Sequence, residues 1–292
     1  FLMAAVFLRR VPAESSPWTL RLPRLGRIVN HPTVIRTAKR LSLGFFVLLL
    51  VAGFAGNPSA LRNLLPLWVW IGWWVGFATA SALIGNVWPV LNPWAAVFRG
   101  ADTLARRVHG GRGLSLGWSY PAWLGTWPAV LLYIVFVWIE LVWPGGEHPA
   151  SLASAILAYS ILTWLGMAGF GPEIWLRKAE VFSVFFGVLG RFAPFAPARD
   201  GVLCLRPPAF GLIGEGPKDI GRLVFVILML SSVTYDGLLE TPPAVDLIGS
   251  LSAHLGAIET LGVAPEAFVA SAGLVGLALC FLVVYCAVIA AM

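Results

Sequence analysis

The sequence predicts an all-α fold, a polytopic membrane helical bundle, and three observations support this class. Hydrophobic residues make up 59% of the chain and charged residues only 12%, with fourteen tryptophans, which is more apolar surface than one soluble core can bury. Six continuous apolar segments approach the roughly 20 residues that a helix needs to cross the hydrocarbon layer. The basic residues fall on alternate connections between these segments. A β-barrel is excluded because its strands would alternate apolar and polar residues.

The apolar segments predict about six transmembrane helices within a single transmembrane domain over 38–292. Residues 1–37 form a basic cytoplasmic or interfacial lead-in. Because the chain begins at Phe1 and ends inside its last apolar segment, we expect it to be a trimmed form of a longer protein. The predicted spans are 38–56, 64–88, 120–143, 149–170, 220–240 and 266–290.

The basic residues predict the orientation of the spans. The lead-in through Arg40 carries eight, 92–117 carries four and 171–222 carries seven, whereas the other three connections together hold only Arg62. This alternation is typical of a chain whose N-terminus is cytoplasmic. The net charge of +6 is therefore explained by topology and by contact with anionic lipid, and nucleic acid is not a predicted partner.

Two of the basic connections contain helices that are too short to span. NPWAAVFRGADTLARR (92–107) mixes apolar and basic residues, and EVFSVFFGVLGRFAPF (180–195) is a short apolar run. Both patterns fit interfacial or re-entrant helices on the cytoplasmic side. Each follows an even-numbered span and opens on a Gly/Pro break, so the chain is also compatible with a degenerate repeat of span, short helix and span.

Tryptophans are concentrated in and around the second predicted span, where they cover several of its faces. Tryptophan is enriched at both membrane interfaces, so we interpret these side chains as lipid-facing bulk and as an aromatic belt. The set comprises Trp68, Trp70, Trp73, Trp74, Trp88, Trp94 and Trp143.

Four ordered motifs resemble those of a family of bacterial multi-pass membrane proteins that includes proteins described as fenitrothion hydrolase. The motifs are NVWPVLNPWAAVFR, EVFSVFFGVLGRFAPFAP, CLRPPAFGL and VTYDGLLETP, and the resemblance covers roughly 60–245. It implies a location in the bacterial inner membrane and a hydrolase acting on an organophosphorus triester. It supplies no catalytic residues.

Acidic residues collect at the predicted outer ends of the odd-numbered spans. Glu140 lies near the end of the third span, and Asp236 and Glu240 close the fifth. These three are the candidate catalytic residues. Asp236 and Glu240 share one helix face if the helix continues through Gly237. The alternative is that carboxylates here only mark the water interface, whereas Glu140 is equally compatible with a proton or cation role and with a bond between helices.

Two histidines lie on the same predicted side. His148 follows Glu147 in the loop between spans three and four, and His254 precedes the sixth span. A metal hydrolase needs imidazole and carboxylate ligands and one open position for water. We therefore take His148, His254 and Asp236 as candidate ligands of a divalent metal ion, although no two of them have the spacing of a metal-binding motif.

Three classes of function remain open. A hydrolase of a hydrophobic ester or phosphotriester predicts that Glu140, Asp236 and Glu240 meet in one cavity. An accessory or scaffold subunit of a larger membrane complex predicts wide contact with other membrane proteins and no polar cavity. A proton-coupled transporter predicts broken helices that meet near the midplane. The lipid bilayer is a partner in every case.

Overall fold

A computed structural model describes residues 19–198, 202–213, 219–256, 259 and 264–292. Residues 1–18 of the predicted basic lead-in lie outside the described residues. The fold is all-α, as predicted. The helices in chain order are α1 (Pro23–Val29), α2 (Pro32–Ala55), α3 (Leu64–Leu83), α4 (Trp88–Leu91), α5 (Pro93–Val108), α6 (Trp127–Leu141), α7 (Pro149–Phe170), α8 (Pro172–Lys178), α9 (Val181–Leu189), α10 (Ile220–Leu239), α11 (Pro242–His254) and α12 (Pro265–Ala290).

Six helices in the described part of the chain are long and apolar enough to cross a membrane, which confirms the predicted number. They are α2, α3, α6 with the preceding turn from Ala122, α7, α10 and α12. The first begins at Pro32, because the His31 ring accepts a hydrogen bond from the Thr33 N–H and proline suits the first helical position. The second is π-helical over Leu67–Phe77.

The chain forms two compact units. Unit 1 comprises Phe1–Tyr120 and Glu147–Lys218, and unit 2 comprises Pro121–Gly146 and Asp219–Met292. Unit 1 therefore contains α1 to α5 and α7 to α9, and unit 2 contains α6 and α10 to α12.

The spans of unit 1 pack closely because one of them presents a glycine at the contact. A Cβ atom at Gly53 of α2 would lie 2.5 Å from Leu65 Cδ2 and 2.7 Å from Ala153 Cβ. Leu65 and Ala153 are fully buried and form a core cluster with Leu49. Small residues allow such close approach of membrane helices.

Two helical hairpins enter unit 1 between its spans. In the first hairpin, α4 runs toward the middle of the spans, the chain turns at Asn92, and α5 runs back toward the ends of the spans. The Ser42 hydroxyl of α2 donates a hydrogen bond to the Leu91 carbonyl, and the Trp94 indole donates to Ser160 Oγ at 2.7 Å. Ser160 is a central residue of α7, so the tip of this hairpin lies within the length of the spans and not at their ends.

The second hairpin consists of α8 and α9 with its tip at Glu180. Trp175 of α8 packs where a Cβ atom of Gly166 would lie, so α8 runs back along α7. The α9 helix then runs along α3 toward the ends of the spans, and the rings of Phe182 of α9 and Trp73 of α3 are 4.5 Å apart. Both predicted short helices therefore belong to re-entrant hairpins. In each hairpin one helix leads to a tip within the spans and a second helix leads back.

A small antiparallel sheet follows the second hairpin, at the end away from its tip. Its strands are β1 (Leu20–Arg21), β2 (Phe195–Pro197) and β3 (Leu203–Leu205), in the order β1-β3-β2. Arg206 follows β3, and its guanidinium donates to the carbonyls of Ala193 at 3.1 Å and Gly190 at 3.1 Å. This cation stabilises the carbonyl end of α9. Burial, followed by the charge of Arg191, lowers the pKa of Arg206 below its ordinary value.

Single hydrogen bonds connect the apolar spans of unit 2. Tyr133 of α6 bonds Ser232 of α10 at 2.9 Å. The Tyr235 hydroxyl of α10 donates to the Ala270 carbonyl of α12 at 2.7 Å. The Trp138 indole of α6 donates to Ser271 of α12 at 2.9 Å. Each bond satisfies a polar group that lipid could not satisfy.

Candidate functional site

The most deeply buried acidic side chain in the described residues is Glu180, with no exposed surface. It is the N-cap of α9, and its carboxylate accepts hydrogen bonds from the backbone N–H groups of Phe182 at 3.1 Å and Ser183 at 2.8 Å. An acidic N-cap satisfies amides that have no partner inside the helix and complements the positive end of its dipole.

Three further donors reach the same carboxylate from other elements. The Tyr159 hydroxyl of α7 donates to Oε1 at 2.5 Å, the Asn92 amide donates to Oε2 at 3.2 Å, and the Trp88 indole lies 3.5 Å from Oε2. Among the described residues, five donors therefore converge on one buried carboxyl group.

Asn92 joins the tips of the two hairpins. Its side-chain oxygen accepts a hydrogen bond from the Ala95 N–H at 3.0 Å and so caps α5, while its amide nitrogen donates to Glu180. Two helices therefore begin at one point inside unit 1. Each helix N-terminus is equivalent to roughly half a positive charge, and both N-termini lie against the Glu180 side chain.

An aromatic shell surrounds this polar cluster. Trp88 and Trp94 are only 4% and 6% exposed, and the rings of Trp94 and Phe182 are stacked at 5.8 Å. Trp74 stacks on Phe185 at 4.8 Å. The interpretation of Trp88 and Trp94 as lipid-facing is therefore wrong, because aromatic rings of the second hairpin pack against them. The other tryptophans of the predicted set are half-buried, and their contact with lipid stays a prediction.

A cavity of about 240 Å³ lies between α2 and the first hairpin. We call it the basic cavity, because four cationic side chains line it, and Asn92 and Ala96 line it as well. The cations lie on α2 and α5 farther from the middle of the spans than Asn92, which is at the hairpin tip. Among the described residues only Arg99 of the four has a carboxylate partner, Glu173 at 3.0 Å. The cations are Arg36, Lys39, Arg40 and Arg99.

The predicted catalytic acids lie in unit 2. Glu140 is half-buried near the end of α6, and Asp236 and Glu240 are exposed on α10. The α10 helix continues through Gly237 to its C-cap at Glu240, so the condition for a shared face is met. A common cavity for the three acids stays a prediction.

The predicted metal ligands are all exposed. His148 is the residue before α7, and His254 ends α11 with its Nδ1 2.7 Å from the Ser250 carbonyl oxygen. In the described part of the chain, no group of three or more His, Cys, Asp or Glu side chains could hold a metal ion. The assignment of His148, His254 and Asp236 to a divalent ion therefore remains a hypothesis.

The sequence interpretation included both re-entrant segments but missed their polar tips. Asn92 and Glu180 are the first residues of the two segments, and each directly precedes the helix that it caps. An Asn-Pro pair and a lone glutamate before an apolar run are both N-cap signals. They could have predicted the two caps, but not that the caps would meet.

The six spans define an integral, multi-pass membrane protein whose apolar surfaces contact the lipid bilayer. No protein-family model, curated protein or solved structure matches the chain.

Proposed function

We propose that this protein is a transporter of the bacterial inner membrane, with its N-terminus and basic cavity on the cytoplasmic side. One observation carries the proposal: two re-entrant hairpins meet tip to tip at Asn92 and Glu180, and a cavity leads to Asn92. Substrate sites of many transporters are built where interrupted helices end inside the membrane.

The depth of the tips supports this proposal. Tyr159, which bonds Glu180, lies eleven residues before the end of α7 at Phe170, or about 16 Å along a helix. Non-helical backbone at such depth is tolerated where it is enclosed by protein or lines a cavity. The basic cavity is the entrance to the proposed pathway. The hydrogen bonds of Glu180 fix the positions of the two hairpin tips at the inner end of that cavity.

The test measures anion movement through the reconstituted full chain. Proteoliposomes are exposed to steps of phosphate, methyl phosphate, sulfate or acetate, and charge displacement and internal anion content are both recorded. We expect movement of at least one anion, and we expect Asn92→Ala to abolish it, because the variant loses a helix cap and the bond between the hairpins.

Asn63→Ala is the matched control. Asn63 is also a buried N-cap in unit 1, with its oxygen 2.9 Å from the Leu65 N–H, but it does not line the basic cavity. Its loss should cost stability while leaving anion movement intact. The absence of movement for every anion in folded wild-type protein, or full movement in Asn92→Ala, would contradict the proposal.

A hydrolase is the second candidate, and the continuous face of α10 that carries Asp236 and Glu240 favours it. The resemblance to the family that includes fenitrothion hydrolase points to a phosphotriester as substrate. The test is hydrolysis of a nitrophenyl phosphotriester by membranes containing the protein. The double variant Asp236→Asn/Glu240→Gln should lose roughly 100-fold or more in rate, and Asp246→Asn on α11 should not. Unchanged hydrolysis in the double variant would remove both acids from the site.

The hypothesis of an accessory subunit without a site gains no support from unit 1. That hypothesis predicted no polar cavity, whereas unit 1 contains one that four cations line. The long α12 helix has a single buried residue, Leu274, and lipid alone accounts for such exposure in a membrane span.

A further inference from the structure

We propose that the basic cavity binds the phosphate group of an anionic ligand. The inference rests on the proposed function, because it names the substrate class of the cavity that we take as the entrance to the pathway. The phosphate could belong to a lipid head group or to a soluble phosphate compound, and the experiment below separates these sources.

The charges of the cavity favour an anion. Arg36, Lys39 and Arg40 are on consecutive turns at the start of α2, and Arg99 faces them from α5. Only Arg99 has a carboxylate partner in the part of the chain that the structure describes. Cations gathered around one cavity repel each other, and a bound anion relieves that repulsion.

The donor chemistry favours phosphate over a simple halide. Arginine presents a planar set of N–H groups that bind two phosphate oxygens at once, and lysine adds a compact positive charge. The cations lie on two walls of the cavity, since Arg36, Lys39 and Arg40 belong to α2 and Arg99 belongs to α5. A group with several oxygens can contact donors on both walls.

The size of the cavity favours a head group over a complete amphiphile. Its volume of about 240 Å³ is below the roughly 300–1,000 Å³ of typical small-molecule sites. The long apolar stretch of α2, which starts at Leu41, follows directly after Arg40. A phosphate held by the cations would therefore lie at the level where a lipid head group meets the hydrocarbon layer.

The experiment uses the purified full chain in a neutral detergent. Native mass spectrometry counts bound phosphatidic acid and phosphatidylglycerol, with phosphatidylcholine as the neutral control. Inorganic phosphate is titrated separately at constant ionic strength, and the shift in the midpoint of thermal unfolding is measured. We expect Lys39→Gln/Arg40→Gln to weaken binding roughly 30-fold, since each basic residue near the head group contributes about fivefold.

Arg106→Gln/Arg107→Gln is the matched control, because it removes the same charge from the outer turns of α5 without touching the cavity. Ala96→Leu is the steric variant, because it fills the cavity and keeps every charge. Loss of binding in Lys39→Gln/Arg40→Gln and Ala96→Leu, with binding retained in the control, supports the inference. Equal loss in both double variants, or undiminished binding in Ala96→Leu, would overturn it.

The two ligand arms identify the source of the phosphate. Binding of anionic lipid that inorganic phosphate does not displace indicates a head group, and binding of inorganic phosphate indicates a soluble ligand. Specific binding without anion movement in proteoliposomes would retain this inference and reject the transporter. Movement of an anion without binding of either phosphate ligand would reject this inference and retain the transporter.

Discussion

Unit 1 buries one acidic residue at its centre, and the candidate acids on α10 of unit 2 are exposed. Unit 1 buries Glu180 completely and surrounds it with five donors, whereas unit 2 leaves Asp236 and Glu240 exposed on α10. A buried carboxylate is stable only when its partners replace the water that it loses. The difference indicates that unit 1 is organised around a polar centre and that unit 2 is organised around apolar packing.

The largest expected effect is the loss of Glu180. Glu180→Ala removes the carboxylate acceptor that five donors share, and we expect it to destabilise the protein by about 3–5 kcal/mol. Thermal unfolding in detergent measures the change. Glu240→Ala in unit 2 is the control and should stay within about 0.5 kcal/mol of wild type. Similar losses in both variants would break the comparison between the units.

A smaller effect is expected where the spans of unit 1 touch. Gly53→Ala introduces a Cβ atom 2.5 Å from Leu65 and 2.7 Å from Ala153, so it should cost about 1–3 kcal/mol through overpacking. Gly44→Ala in the same helix has open space around the new atom and should stabilise α2 by up to about 1 kcal/mol. Equal unfolding midpoints would show that α2 does not pack closely at Gly53.

In unit 2 the loss of a buried hydrogen bond should matter less. Tyr133→Phe removes the bond to Ser232, and bonds between membrane helices contribute about 0.6 kcal/mol on average. Double-mutant analysis with Ser232→Ala should therefore give a coupling of that size. A coupling of several kcal/mol would place a polar centre in unit 2 as well.

The smallest effect concerns a surface carboxylate of unit 1. The Arg106 guanidinium, followed by the Leu114 N–H, holds the pKa of Asp102 below its ordinary value of 3.8. A lowered pKa in the folded state stabilises the fold above pH 3.8, and this contribution is lost as the pH falls through the lowered value.

Asp102→Asn tests that sign. It should lower the free energy of unfolding by less than about 1 kcal/mol at pH 7, and the difference from wild type should shrink as the pH falls below 3.8. Unfolding midpoints measured across this range provide the check. A difference that grows as the pH falls would contradict the assignment.

Much of the fold follows from local sequence. The residues from Ile220 to Leu239 form a span because the apolar run over 223–230 makes the segment hydrophobic as a whole. The cluster of Arg36, Lys39 and Arg40 near the start of α2 predicts which end of that helix meets water. The Gly/Pro breaks before Asn92 and Glu180 likewise predicted two short helices. Hydropathy, charge and breaks act over a few residues, so the sequence displays them directly.

The polar centre is a property of tertiary structure. Glu180 meets Tyr159 and Asn92, which lie 21 and 88 residues earlier in the chain, and no local pattern records such distances. The acids chosen from the sequence, Glu140, Asp236 and Glu240, are selected because each lies near the end of an apolar segment. The sequence by itself determined an all-α membrane protein with six spans, because burial in lipid is decided residue by residue. Only the tertiary structure decided which polar groups share one buried site, since that depends on how the two hairpins fold back between the spans.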